Sequence, residues 1–283
     1  MIYLIIPLIL IFLGYGILIL LLPKSLKSYS LFLAPWIGAS IIIILGLSLN
    51  MNKLRMSDFL FGGAWVPGYQ FILLLGAMLF IDSIILKTKE ALLINKHDWL
   101  IIMVPVLAFI TNSVIAGFKA QQITSLTAVL NHTSLVDTMH ITFTYPEYYQ
   151  QIGLPLILSF FSAIFNTINM SELLHVIQST YIAFTVPLLF FLYKGIQKKW
   201  YKHIDMLMSA DANLFIIALL LVAITVINLV FFVTLVAALA LISLYFAITK
   251  KRIGPIIQYG KIILLLLLMN PVGYGLIIKL INI

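Results

Sequence analysis

The chain contains no cysteine and very little charge. The first absence excludes a disulfide framework, a thiolate metal site and a cysteine nucleophile. Only 9% of the 283 residues are Asp, Glu, Lys or Arg and 63% are hydrophobic, against roughly 25% and 45–50% in a typical soluble domain. So few charges cannot solvate the surface of a soluble globule. A continuous basic face is also lacking, because the net charge of +8 comes from short clusters between apolar runs, and this excludes a nucleic-acid binder. Strict alternation of polar and apolar residues is missing too. The runs are solid Ile and Leu, which excludes a β-barrel and leaves an all-α, polytopic transmembrane helical bundle.

The bilayer's hydrocarbon core is about 30 Å thick and a helix rises about 1.5 Å per residue, so a crossing takes roughly 20 apolar residues. Segments of that kind run from 2 to 22, 31 to 49, 67 to 86, 100 to 118, 151 to 168 and 176 to 193. No charge interrupts Ala212 to Thr249, a stretch that as one helix would measure about 57 Å. It must be two helices, with the turn near Asn228. A last segment, 261 to 282, is broken by Asn270-Pro271-Val272-Gly273. The count is about eight or nine hydrophobic helices in one domain, 1–283: four spans in 1–118, an outer loop and surface helix in 119–175, and further spans in 176–283. The first segment is longer than a signal-peptide core, has no basic flank before it and no small-residue cleavage site after it, so it reads as a retained span.

Cytoplasmic loops carry the excess of Lys and Arg. If every segment crosses, the basic residues divide 11 to 6; if 151–193 crosses once, with 151–168 re-entrant or interfacial, they divide 13 to 4. The second arrangement is favoured. It puts Lys24, Lys27, the 87–98 loop, Lys194 to Lys202 and Lys250-Lys251-Arg252 on the cytoplasmic side of a cell membrane, and 119–150 outside. The polar residues Asn166, Thr167, Asn169, Ser171, Glu172, His175 and Gln178 also disfavour a second clean crossing there.

Polar chemistry concentrates in that outer segment. Asp137, Glu147 and Glu172 follow the fourth span, with His132, His140 and His175 among them. A helix over 134–143 would put Asp137 and His140 on one face, at i and i+3, and Pro146 would end it. A carboxylate would then stand beside an imidazole near the membrane surface. The same pairing also arises by chance in polar loops. Tyr145, Tyr148 and Tyr149 suit interfacial anchoring as well as sugar stacking. Asp82, near the end of the third span, is an acid within reach of the Lys87 loop, and Lys194 to Lys202 with Trp200 and Tyr201 suits anionic lipid. Asn131-His132-Thr133 and Asn169-Met170-Ser171 match the N-glycosylation pattern, which matters only in a eukaryotic host.

The order of these features resembles the membrane glycosyltransferases of the GT-C superfamily, which use polyprenyl-phosphate-linked sugars. The resemblance covers about residues 30–195: the hairpin "LFLAPWIGASIIIILGLSLN", the outer "SLVDTMH", then "YPEYYQQIGLPLILSFFSAIF" and "LLHVIQSTYIAFTVPLLFFLYKGI". It implies inverting sugar transfer outside the membrane. Asp137 matches the loop acid that serves as general base or orients the acceptor hydroxyl, and His140 the histidine that orients it or contacts phosphate. Tyr145-Pro146 matches the stretch leading into a surface helix. Glu147 is the reserve acid, and His132 and Tyr148 complete the substrate-facing set with Tyr145. The implied partners are membrane lipid and the lipid-linked sugar donor, without nucleic acid. No cofactor is certain. A divalent metal ion serves some relatives, but one Asp and one His do not define a site. Such enzymes are longer and carry a soluble C-terminal domain, so the chain corresponds to the front part of one or to a relative without activity.

Two other classes fit the composition. A small secondary transporter would use Asp82 and the 270–273 interruption as midplane polar elements. A non-catalytic subunit or scaffold of a membrane complex needs only lipid-facing helices.

Overall fold

The computed structural model describes residues 2–22, 27, 30–51, 57, 66–87, 103, 107, 153–165, 172–181, 183–185, 211–227, 229–250 and 253–269. The described residues are almost entirely helical and contain no strand. In chain order the helices are α1 (Ile2–Leu21), α2 (Ser30–Met51), α3 (Gly68–Lys87), α4 (Gly153–Ile164), α5 (172–181), α6 (Asp211–Ile227), α7 (Leu229–Lys250) and α8 (Gly254–Met269). The stretches Ser30–Leu49 and Gly68–Leu86 are long and apolar enough to cross a membrane, and Ile5–Leu21, Thr234–Thr249 and Gly254–Leu268 are shorter apolar helices.

The first three helices are held by close backbone approach. A Cβ on Gly14 would collide with the carbonyl oxygen of Ala34 and stand 2.7 Å from the backbone nitrogen of Gly38, while one on Gly38 would collide with the carbonyl of Leu10. Ala34 and Gly38 form a small-xxx-small pair on α2, the pattern that lets helix backbones approach where both helices are otherwise lined by Leu and Ile. The register is antiparallel, Leu10 opposite Gly38 and Gly14 opposite Ala34. The other side of α1 receives α3: a Cβ on Gly16 would lie 2.7 Å from the backbone of Leu79 and Phe80. Gly76 faces the Leu13 side chain, so α3 runs parallel to α1. The Phe80 ring completes this contact, 5.1 Å from Phe12 and 6.2 Å from Tyr15 between centroids.

Helix α2 is the centre of the assembly. Of its apolar span 72% is buried, against 17% for α3. Buried side chains of α1, α2, α4, α5 and α6 form one apolar cluster that includes Leu10, Ile37, Ile42, Phe160, Ile177 and Leu219. A second cluster joins Leu214, Leu221 and Val222 of α6 to Ile262 and Leu266 of α8, with Leu235 and Leu239 of α7 packed on it.

That second cluster decides how 212–249 folds. Helix α8 packs against both α6 and α7. It has only 16 residues, about 24 Å of helix, which could not lie along both halves of a straight rod of about 57 Å. The two helices end and begin on either side of position 228, as the length of the run required. At the chain's other apolar segment the boundary differs from expectation: α8 begins at Gly254, not near 261. Pro255 falls in its first turn, where a missing N–H leaves no bond unmade, and the Ile253 carbonyl receives the N–H groups of Ile256 and Ile257 at 3.0 and 3.2 Å. Lys261 lies within the helix on an exposed face, its long stem able to run along apolar surface.

Helix α4 has 12 residues, about 18 Å. Eight of them are buried, from Gly153 through Phe161, and the helix packs on α2 and α6. A helix resting on the outside of a bundle would keep one side open. Phe160 meets Phe161 edge to face, with ring planes 80° apart, and Phe161 stacks on Phe165 with planes only 8° apart.

Apolar side chains also cover much of the outside. Leu74, Met78, Ile81 and Ile85 of α3, Leu241, Leu244 and Ile248 of α7, and Ile257, Leu264 and Leu268 of α8 are all exposed. So many exposed apolar side chains are uncommon on a monomeric soluble protein.

Candidate functional site

The residues singled out for sugar transfer, Asp137 and His140 with His132, Tyr145, Glu147 and Tyr148, lie outside the described residues. So does the 270–273 interruption. What the structure does position is the helix that follows the acid-bearing segment, and the polar groups of the bundle around it.

Most hydroxyls in the described helices bond back to their own backbone. Ser40 donates to the carbonyl of Trp36 at 2.9 Å, Thr180 to Val176 at 2.7 Å, Thr185 to Tyr181 at 2.7 Å and Ser243 to Leu239 at 2.8 Å. This spacing of four satisfies a hydroxyl without water or a second helix, which suits an apolar environment. One interhelical link joins α1 and α2: the side chains of Tyr15 and Ser30 share a hydrogen bond, and Ser30 Oγ donates to the carbonyl of Lys27 at 2.6 Å. Ser30 thereby closes the start of α2 onto the turn that precedes it. Tyr15, Lys27 and Ser30 are all buried.

A different pairing faces away from α1. Trp36 stands two residues beyond Ala34, about 200° round the helix, and its ring lies 4.6 Å from that of Tyr181 on α5, tilted by 39°. Both polar tips, Trp36 Nε1 and Tyr181 OH, are shut off from solvent without a hydrogen-bond partner among the described residues; so is His175 Nε2, six residues before Tyr181. An unmade buried hydrogen bond costs about 1–3 kcal/mol, so two such groups on rings in contact are a costly feature. His175 was visible in the sequence as a polar residue of this region. The Trp36–Tyr181 pair was not, because nothing in an all-apolar helix says which side meets which neighbour.

Asp82 is exposed on the outer side of α3, not turned toward α1 or α2. Among the described residues no three His, Asp or Glu side chains gather as a metal site would require. Compared with protein-family models, with curated proteins and with solved structures, the chain matches none.

Proposed function

We propose that the chain is a multi-pass integral membrane protein that transfers a sugar from a polyprenyl-phosphate donor to an acceptor outside the cytoplasm, in the manner of GT-C glycosyltransferases. The apolar exteriors of α3, α7 and α8 support the membrane part, since lipid is the solvent such faces require. The transfer part is carried by one observation. Directly after the segment holding Asp137, His140 and Tyr145-Pro146 comes α4, an apolar helix whose described part, Gly153–Ile164, is about 18 Å long against a core of about 30 Å. A re-entrant helix in that place brings the outer loop down to the level of lipid headgroups.

In this reading Asp137 takes the proton of the acceptor hydroxyl, or holds that hydroxyl in line, as it attacks the anomeric carbon. The lipid phosphate leaves, and His140 orients Asp137 or contacts the phosphate. A base of this kind contributes about 10²- to 10⁴-fold to rate. The experiment is sugar transfer from a labelled polyprenyl-phosphate donor by membranes carrying the wild-type chain, Asp137→Asn or the control Glu90→Gln. Wild-type transfer that Asp137→Asn abolishes supports the reading; transfer unchanged in Asp137→Asn removes it.

A second reading has its own observation. The glycine-sealed contacts of α1 with α2 and α3 leave little room for one helix to slide on another, which suits a rigid non-catalytic subunit of a membrane complex. Absence of transfer by an intact, inserted wild-type chain favours that role. The transporter reading is supported less, because Asp82 faces outward.

A further inference from the structure

We propose that the outer faces of α3 and α8 join copies of this chain to one another in the membrane, with Asp82 of one copy paired to Lys261 of the next. On α3, Met78, Asp82 and Ile85 are all exposed and stand at i, i+4 and i+7, one stripe of the helix. On α8, Ile257, Lys261 and Leu264 repeat the same spacing and are exposed too. Each stripe is apolar around a single charge, and the two charges are opposite. Lipid tails suit the Met, Ile and Leu side chains, but a carboxylate on one carbon has no reach to the membrane edge, and ionisable groups within spans pair with one another. Lysine can snorkel, and its ammonium has three N–H donors, enough for a neighbour's carboxylate beside the interaction it makes in its own chain.

The contact rests on the membrane arrangement proposed above and is independent of sugar transfer. In that arrangement Lys87 and the run Lys250-Lys251-Arg252 are cytoplasmic, so α3 runs inward and ends there, while α8 starts there and runs outward. Asp82 is five residues before the end of α3 and Lys261 seven after the start of α8, about 8 and 10 Å from the same edge. Side chains lean toward the N-terminus of their own helix, Asp82 deeper and Lys261 shallower, which narrows the difference. The register extends beyond the charges. With Asp82 opposite Lys261 in an antiparallel pair, Ile85 falls opposite Ile257 and Met78 opposite Leu264, to within one residue. Within one chain the two faces do not meet, since α3 packs on α1, α2 and α4, and α8 on α6 and α7. A second copy inserted the same way presents its α8 antiparallel to α3 and at the matching depth. Because each copy offers both faces, the contact repeats about an axis along the membrane normal.

The test crosslinks full-length copies in native membranes, where the absence of cysteine keeps the background clean. Chains carrying Ile85→Cys, Ile257→Cys or Leu241→Cys, the last an exposed position on α7, are co-expressed in pairs under two tags and oxidised. Ile85→Cys should crosslink to Ile257→Cys and several-fold less to Leu241→Cys. Asp82→Lys in both partners sets two like charges against each other, which should lower the crosslinked fraction about ten-fold or more at equal inserted protein. The exchange of Asp82→Lys together with Lys261→Asp should restore it. Single Lys87→Cys and Gly254→Cys chains, treated in sealed cells with an impermeant thiol reagent, check the arrangement separately, and both should be labelled only after the membrane is opened. Given that labelling, the contact alone is overturned by no product between positions 85 and 257, by an equal product with Leu241→Cys, by a product indifferent to Asp82→Lys, or by an exchange that fails to restore it. Labelling of the two positions from opposite sides overturns the arrangement and the contact together.

Discussion

The carbonyl oxygen of Ala34 occupies the space that a side chain on Gly14 would need. Two helices can come this close only where one of them has no Cβ, and the pairing of Gly14 with Ala34 and Gly38 fixes α1 and α2 as a unit on which α3 and α4 are built. Gly14→Ala should therefore destabilise the protein by about 1–3 kcal/mol through overpacking, although alanine is the better helix former by up to about 1 kcal/mol. The matched control is Gly254→Ala. A Cβ there meets nothing within 4 Å, so its effect should stay within about 0.5 kcal/mol. Unfolding midpoints of the two variants in detergent make the comparison.

The outward face of α3 gives a prediction of opposite kind. Met78 is 65% exposed, and in a water-soluble protein a lysine at such a position is silent. In a bilayer, lysine near the middle of a span costs about 2.5–3.5 kcal/mol. Met78→Lys should thus lower the fraction of chain that inserts, as read by extraction of membranes with alkali, with little change in total synthesis.

The boundaries of α1, α2 and α3 were legible in the sequence to within two residues, because only the length of an apolar run had to be read. The division of 212–249 was legible for the same reason: about 57 Å of helix exceeds any bilayer. Lysine misled the reading of α8. Lys261 resembles a loop residue, yet Gly254-Pro255 ahead of it starts the helix and the ammonium can snorkel. Helix α5 likewise includes 172, four residues before the apolar run begins. Charge counting favoured a re-entrant or interfacial 151–168, but the burial of α4 along most of its length left no sign in the sequence. In helices that are apolar all round there is no polar face to point away from the core, so the Gly14–Ala34 contact and the Trp36–Tyr181 pair left no periodic trace. The candidate catalytic residues were read from a local pattern and lie outside the described residues, so their roles rest on that pattern.

At those residues the expected losses are graded. Asp137→Asn keeps the shape of the side chain and removes its charge and basicity, so transfer should fall about 10²-fold or more at unchanged protein level in the membrane. His140→Ala should cost less, since an orienting group is easier to replace than the base. Initial rates of sugar transfer, normalised to the amount of inserted protein, check the order. Equal losses would assign the base role to neither.

The arrangement of 119–202 about the membrane is the point on which the whole account turns, and the cysteine-free chain allows a direct test. Single cysteines at positions 134 and 196 are introduced separately and exposed in intact cells to a membrane-impermeant thiol reagent. With α4 re-entrant and one crossing between it and Lys194, the cysteine at 134 is labelled from outside and the one at 196 only after the membrane is opened. Labelling of 134 only after opening, or of 196 in sealed cells, contradicts the account.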